Sequence, residues 1–313
     1  MYDTTKPYKR HILELIKQTW ETPYVSVDEY VVRKKFSYPE CRPHSDGIGT
    51  KGVYHWRQRS FGNAVIDALA MNLNDLALRR ATPYGVIDHL FLQEDDKDAI
   101  FEITKHLAEE CRNRDIALID GETAIHDNME GLEISITMMG FVKRPKPNRP
   151  QAGDVLIGFR SDGLHSNGFT KVREVFGREY RLEFIVPTRI YLDTVLALEE
   201  SFDIHGMAHI TGGAYTKLKD LLFGTDVRIR RDHKLQPQPI FRELYERGVD
   251  DTNMHKTFNC GVGFVLSVSS QDADKIVSEL NAFDFGADII GEITAGTGKV
   301  KIESMFSKKE IEF

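Results

Sequence analysis

With 313 residues, 41% of them apolar and 28% charged, the chain suits two soluble domains of ordinary size or one large one. A net charge of −7 argues against nucleic acid as the main partner, although a local cluster of glycines, lysines and arginines still suits an anionic ligand. Cys41, Cys111 and Cys260 stand far apart without CxxC spacing, which excludes a disulfide framework or a zinc site and fits a reducing compartment.

In chain order, Tyr8 to Thr19 carries one apolar stripe (Ile12, Leu13, Leu15, Ile16) and predicts a helix. Tyr24 to Val32 alternates enough for a strand. A glycine-bearing loop, Asp46 to Lys51, comes next. Phe61 to Ala81 is the clearest helix, with Val65, Ala68, Leu69, Leu73, Leu76 and Ala77 at spacings of three and four, and Pro83 marks its end. Val86 to Leu92 reads as a buried strand, Asp95 to Arg114 as an amphipathic helix, and Ile116 to Ile119 and Leu132 to Val142 as strands.

Residues 143–150 hold three prolines and four cations and form the best linker. A strand over Asp154 to Phe159 opens a second block. Helices are expected at 169–176, 188–202, 214–223, 238–247 and 271–282, and strands near 227–231, 260–268, 287–293 and 299–303. The reading is a layered α/β protein of two sequential domains, 1–148 and 149–313. The first residues lack a signal pattern, and no apolar run approaches the roughly 18 residues that span a bilayer. A cytoplasmic protein that engages neither membrane nor nucleic acid is expected.

Several stretches bear chemistry. Asp46-Gly47-Ile48-Gly49-Thr50-Lys51 combines a carboxylate for a hard cation, glycines that let N–H groups approach phosphate, and a lysine. Taken alone it is equally a tight turn between strands. Asp67 and Asp75, with Asn74 beside the latter, lie eight residues apart on the long helix. That spacing is about 80° around the axis and ~12 Å along it, too far to share one metal directly but suited to an elongated polyphosphate site. Two solvated aspartates are the bland alternative, disfavoured by their apolar neighbours.

Gly121-Glu122-Thr123 follows a short apolar strand and offers either a ligand carboxylate or a turn. Residues 161–168, with His165, Ser166 and Asn167, precede a helix as an anion cradle would. Thr211-Gly212-Gly213 repeats that design. His165 reads as a base, a phosphate donor or a plain loop residue. Arg189 supplies a guanidinium for bidentate phosphate contact. Cys260 reads as a buried hydrophobe, and the glycines around it as packing residues. No Ser/His/Asp order, HExxH or EF-hand pattern occurs. The inventory favours phosphorylated ligands and Mg²⁺-nucleotide.

In order, SDGIGTK (45–51), IDALAMNLNDL (66–76), IDGETA (119–124), GDVLIGFRSDGLHSNG (153–168), PTRIY (187–191), HITGG (209–213), FNCGVG (258–263) and IGEI (290–293) resemble the aminoimidazole ribonucleotide synthetase family, the phosphoribosylformylglycinamidine cyclo-ligases. The resemblance implies an N-terminal ATP-binding and dimerisation domain, whose sheet forms a barrel across a homodimer. It implies a C-terminal mixed-sheet α/β domain that completes the active site. It also implies ATP-dependent ring closure of formylglycinamidine ribonucleotide in purine biosynthesis.

By motif match, Asp46, Gly47, Gly49, Lys51, Asp67, Asn74, Gly121 and Thr123 serve ATP, and Asp46, Asp75 and Glu122 serve Mg²⁺. His165 and Asp75 are the catalytic candidates. Ser166, Asn167, Arg189, Thr211, Gly212 and Gly213 hold the phosphorylated substrate. The chain departs from the family in having no glycine before Gly47, in Asp120 and in the residues after Ala124, and in a short stretch between Gly168 and Pro187. Two other readings remain: another ATP-using member of the wider superfamily, or a catalytically silent homologue binding a nucleotide or a partner. Selenophosphate synthetase is disfavoured by the lack of a cysteine before Cys41. HITGG and FNCGVG disfavour thiamine-monophosphate kinase and the hydrogenase-maturation relatives.

Overall fold

A computed structural model describes residues 9–283 and 285–313. The chain divides into two units. One runs to Pro145 and regains Tyr180–Ile190; the other comprises Lys146–Glu179 and Tyr191–Phe313.

The first unit opens with α1 (Lys9–Lys17), which buries Ile12 and Ile16. Residue 8 of the expected helix lies outside the described residues. The strand expected over 24–32 is instead a hairpin, β1 (Val25–Val27) against β2 (Val32–Lys34). Asp28 Oδ1 accepts the Tyr30 and Val31 N–H groups and turns the chain there.

β3 (His44–Gly47) leads into a 3₁₀ turn (Gly49–Lys51), then α2 (Gly52–Gln58) and α3 (Phe61–Ala77). The chain continues with β4 (Ala81–Leu92), α4 (Lys97–Asn113), β5 (Ala117–Ile125) and β6 (Leu132–Val142). α3 ends at Ala77, before Pro83. That proline lies inside β4 at a register shift, where a missing N–H costs least.

The four strands run in the order β3-β6-β4-β5, with β4 and β5 parallel and the other pairs antiparallel. Leu132, Ile134, Ile136 and Met138 of β6 are buried, and α3 packs against β6, β3 and β4. The alternate positions Ser135 and Thr137 face the other side of the sheet and are partly exposed. Residues 180–190 return to this unit, where Asn63 Nδ2 donates to Ile185 O (2.9 Å) and Phe184 meets Tyr54 edge-on.

The second unit holds a seven-stranded mixed sheet in the order β13-β12-β9-β11-β7-β10-β8. Its strands are β7 (Val155–Arg160), β8 (Ile204–His209), β9 (Thr225–Ile229), β10 (Val262–Val268), β11 (Ala287–Ala295), β12 (Val300–Glu303) and β13 (Glu310–Glu312). Its helices are α5 (Phe169–Phe176), α6 (Leu192–Ser201), α7 (Pro239–Glu246), α8 (Asp251–Thr257) and α9 (Ser270–Ala282).

Three local expectations change. The helix predicted from 188 begins at Leu192, and residues 214–221 form a 3₁₀ rather than an α-helix. The proline-rich linker is tied at its end to β8, because Asn148 exchanges two hydrogen bonds with the Met207 backbone and Arg149 N donates to His205 O. No helix among the described residues is long and apolar enough to cross a membrane.

Candidate functional site

Lys51 is the residue whose setting differs most from a solvent-facing phosphate ligand. The 3₁₀ turn and α2 carry it inward until it is fully buried, with Nζ 2.7 Å from Asp67 Oδ2 and 2.6 Å from Val186 O. His55, four residues on along the same helical face, places Nε2 2.8 Å from the same oxygen. The other carboxylate oxygen of Asp67 accepts both the backbone N–H (2.7 Å) and the hydroxyl (2.6 Å) of Thr188.

Burial works against ionising Asp67, but the Lys51 ammonium and the His55 ring outweigh it and hold the carboxyl well below the usual range. Lys51 and His55 are pushed down by burial, with Asp67 pulling both back. A neutral His55 whose Nε2–H donates to Asp67 and whose Nδ1 accepts from Ser60 Oγ (2.8 Å) satisfies both ring nitrogens. This dry network links the Lys51 turn, α3 and the returning segment at Thr188.

Asn74, also fully buried, donates to Arg189 O (2.9 Å), so with Asn63 and Asp67 α3 grips that segment at three points. Asp75 takes a different direction from Asp67: its Oδ2 lies 3.1 Å from His44 Nε2 on β3. The eight-residue spacing therefore puts the two aspartates in separate surroundings.

In the sheet, Asp46, Ile136, Asp88 and Gly121 form one row from β3 to β5. Asp46 Oδ1 accepts the Gly47 N–H (2.8 Å), and its carbonyl accepts from Asn72 Nδ2 (3.1 Å). Glu122, expected with Asp46 and Asp75 to serve Mg²⁺, stands on the edge strand opposite that of Asp46. Three strand spacings, about 14 Å, separate those edges, so one ion in one chain does not reach both. Among the described residues no trio of His, Cys, Asp or Glu is gathered as a metal site.

Gly121-Glu122-Thr123 is strand, not turn: β5 runs through it, with Gly121 buried and Glu122 exposed. On the sheet face away from α3 a cavity of about 340 Å³ is lined by Ser45, His89, Asp120, Glu122, Ser135 and Thr137.

Two carboxylates here escaped the sequence reading. Asp88 is 3% exposed, its Oδ1 meets no hydrogen-bond donor among the described residues, and burial, aided by Asp120 and Glu122, pushes its carboxyl up to about 7. Glu133 on β6 lies against Gly47 of β3, where a Cβ would come within 2.1 Å of its Oε1. Burial, with Asp46 adding, pushes Glu133 up to about 7 against the nearby Ile48 and Gly49 backbone. The only sequence signal for either was a charge in an otherwise apolar strand; for His55 it was the four-residue spacing from Lys51.

In the second unit the glycine loops converge. Asn167 Nδ2 donates to Thr211 Oγ1, and its Oδ1 lies beside Gly212, which together with Gly213 is exposed. Ser166 is partly buried. His165 is 1% exposed in the left-handed region (φ 58°), and its Nε2 accepts the Asp162 N–H (3.3 Å) while its ring lies near Tyr191.

The 258–263 loop supports this arrangement. Asn259 accepts from Ser161 Oγ (2.8 Å) and donates to Gly163 O (2.8 Å). Gly263 is required by close approach, since a Cβ there would lie 2.0 Å from Tyr191 Oη. Cys260 is buried, and burial pushes its thiol well up, away from nucleophile chemistry.

The fold, one unit with a four-stranded sheet and one with a seven-stranded mixed sheet, is also found among solved structures. The Escherichia coli hydrogenase maturation protein HypE superposes with a TM-score of 0.71 at 19% identity, covering 97% of this chain and 96% of that one. A HypE structure in complex with ATP gives 0.70 at 16%, covering 99% and 95%. Thiamine-monophosphate kinase from Stenotrophomonas maltophilia gives 0.66 at 20%, covering 97% and 98%. At these identities the likeness defines the fold class alone.

The sequence goes further. Residues 43–142 match the N-terminal domain, and residues 151–303 the C-terminal domain, of the AIR synthase related proteins. The phosphoribosylformylglycinamidine cyclo-ligase of Methanococcus vannielii is 35% identical, over 85% of this chain and 80% of its own. That of Thermococcus kodakarensis is 33% identical, over 90% and 91%. The chain belongs to the AIR synthase related protein family.

Proposed function

We propose that this chain is a phosphoribosylformylglycinamidine cyclo-ligase, which closes the imidazole ring of aminoimidazole ribonucleotide at the expense of ATP. The observation that carries the reading is 33–35% identity, across 85–90% of the chain, to relatives that bear this name. In the proposed reaction the amide oxygen of formylglycinamidine ribonucleotide receives the γ-phosphoryl group. An internal nitrogen then attacks the activated carbon and phosphate leaves with that oxygen, so ATP and substrate give ADP, phosphate and product.

Positioning and electrostatic stabilisation dominate such phosphoryl transfer, which suits a site built from preorganised loops. Asp46 and Asp75 are the proposed Mg²⁺ carboxylates. The absence of a three-ligand protein cluster among the described residues fits that ion, which is ordinarily held by one or two carboxylates together with phosphate oxygens. Bound there, Mg²⁺ would neutralise charge on the transferring phosphoryl group.

Gly47, Gly49, Lys51, Asp67, Asn74, Gly121 and Thr123 are assigned to the ATP side. In this reading Lys51 and Asp67 act by fixing the loop and the Thr188-Arg189 segment, which their burial favours. Ser166, Asn167, Arg189, Thr211, Gly212 and Gly213 are assigned to the ribonucleotide, with His165 as proton carrier or as loop scaffold. A homodimer through the open face of the four-stranded sheet, and a cytoplasmic location, complete the proposal.

Purified protein is expected to convert formylglycinamidine ribonucleotide with ATP and Mg²⁺ and to rescue a purine auxotroph lacking this step. Asp75→Asn is expected to abolish Mg²⁺-dependent ATP binding measured by calorimetry. Folded protein that binds ATP but yields no product would refute the reaction. Folded protein that binds none would instead support a silent homologue.

A further inference from the structure

Between a 3₁₀ turn at Leu182–Ile185 and α6, residues 186–191 form neither helix nor strand, yet their backbone is firmly held. Lys51 Nζ donates to Val186 O (2.6 Å), and Asn74 Nδ2 donates to Arg189 O (2.9 Å). Between them, Asp67 Oδ1 accepts both the N–H (2.7 Å) and the hydroxyl (2.6 Å) of Thr188. Lys51, Asp67 and Asn74 are fully buried, and Thr188 is 1% exposed. Pro187 fixes its own φ and keeps Val186 extended (φ −62°, ψ 123°), which stiffens the stretch further.

Thr188 is the tightest of these points, since one residue gives two donors to one carboxylate oxygen. The other oxygen of that carboxylate is taken by Lys51 and His55, so Asp67 is already oriented where Thr188 meets it. Arg189, next in the chain, is half-buried and has its carbonyl fixed by Asn74. Both ends of the Thr188-Arg189 pair are thus pinned to α3, which confines the directions in which the Arg189 side chain leaves the backbone. We propose that Thr188 is a positioning residue for the ribonucleotide, its hydroxyl aiming the Arg189 guanidinium at the substrate phosphate. The inference rests on the cyclo-ligase reading, in which Arg189 serves that phosphate.

The test is Thr188→Val, which removes the hydroxyl and keeps the N–H, beside Thr188→Ser, which keeps both. Formylglycinamidine ribonucleotide and Mg²⁺-ATP are titrated separately into the full chain by calorimetry, and amide hydrogen exchange is followed over residues 186–190. A lost hydrogen bond to a charged acceptor corresponds to about a ten- to hundredfold change. Thr188→Val is expected to weaken ribonucleotide binding by about the lower of these and to speed exchange at Thr188 and Arg189. Mg²⁺-ATP binding should move little. Thr188→Ser is expected to recover most of both effects.

Arg189→Ala should weaken ribonucleotide binding at least as much, and Thr188→Val added to it should cost little more, because Thr188 acts through Arg189. Unchanged ribonucleotide binding in folded Thr188→Val would overturn the proposal. Additive losses in the double variant, or equal weakening for ribonucleotide and Mg²⁺-ATP, would overturn it too. If Thr188→Val does not fold, Asn74→Ser, which releases the carbonyl of Arg189, carries the same ribonucleotide expectation and the same refutation. Unaltered protein that binds no ribonucleotide defeats the functional reading, and exchange at Thr188 and Arg189 then decides separately whether the hydroxyl holds the segment.

Discussion

Replacing Asp88 with asparagine is expected to stabilise the protein, and to do so in a pH-dependent way. Asp88 is buried within the four-stranded sheet unit, its carboxyl raised from 3.8 to about 7, chiefly by burial and secondarily by Asp120 and Glu122. The folded chain therefore holds a proton on Asp88 between pH 3.8 and 7 that the unfolded chain has released. Stability from this group is fully present below the lower value and is lost as pH rises through the upper one.

A shift of about three units at ~1.4 kcal/mol each gives about 4 kcal/mol lost by pH 8.5. Asparagine carries no charge to desolvate. Asp88→Asn should exceed the parent by about 1.5 kcal/mol at pH 5 and by about 4 kcal/mol at pH 8.5. Both tryptophans, Trp20 and Trp56, lie in the first unit, so their fluorescence in urea reports on that unit. The midpoint should shift with unchanged slope. Equal effects at the two pH values, or destabilisation at pH 8.5, would refute the reasoning.

Lys51→Met should cost about 3–5 kcal/mol in the same fluorescence assay, because it strands the Asp67 carboxylate in a dry site. Adding Asp67→Asn should recover part of the loss, and additive losses would show that the pair is not coupled. Gly263→Ala should destabilise the second unit by about 1–3 kcal/mol or more, since its methyl meets Tyr191 Oη. Tyr191→Phe should relieve part of that in calorimetry. Burial pushes His255 down, so its neutral form stabilises the fold above about pH 6.5 and the contribution is lost as pH falls below that value. His255→Leu should make the acid limb of the stability profile shallower, and an unaltered limb would remove His255 as its cause.

The long helix and the α/β alternation were readable because burial of one face imposes a period on sequence, as the near-continuous burial of α3 shows. The glycine motifs were readable because positive φ and close approach restrict residue choice, as at Gly49, Gly213 and Gly263. α2 was missed because Gly52-Val53-Tyr54-His55-Trp56 is buried nearly all round and shows no stripe. β5 was cut short because Asp120-Gly121-Glu122 resembles a turn, whereas its pairing with β4 makes it strand.

Family membership and the candidate site residues lie in local pattern. Sequence spacing carries those features directly. Which of these residues touch was decided by packing between segments far apart in the chain. Lys51 and Asp67 looked like ligands for a solvent-borne phosphate. Their burial against His55, Val186 and Thr188 depends on residues 180–190 returning to the first unit, which no local signal encodes. Asp46 and Glu122 looked like partners and are held apart because sheet order, not sequence order, sets distance. Glu133 meets Gly47 the same way, because the pairing of β6 with β3 joins residues far apart in sequence.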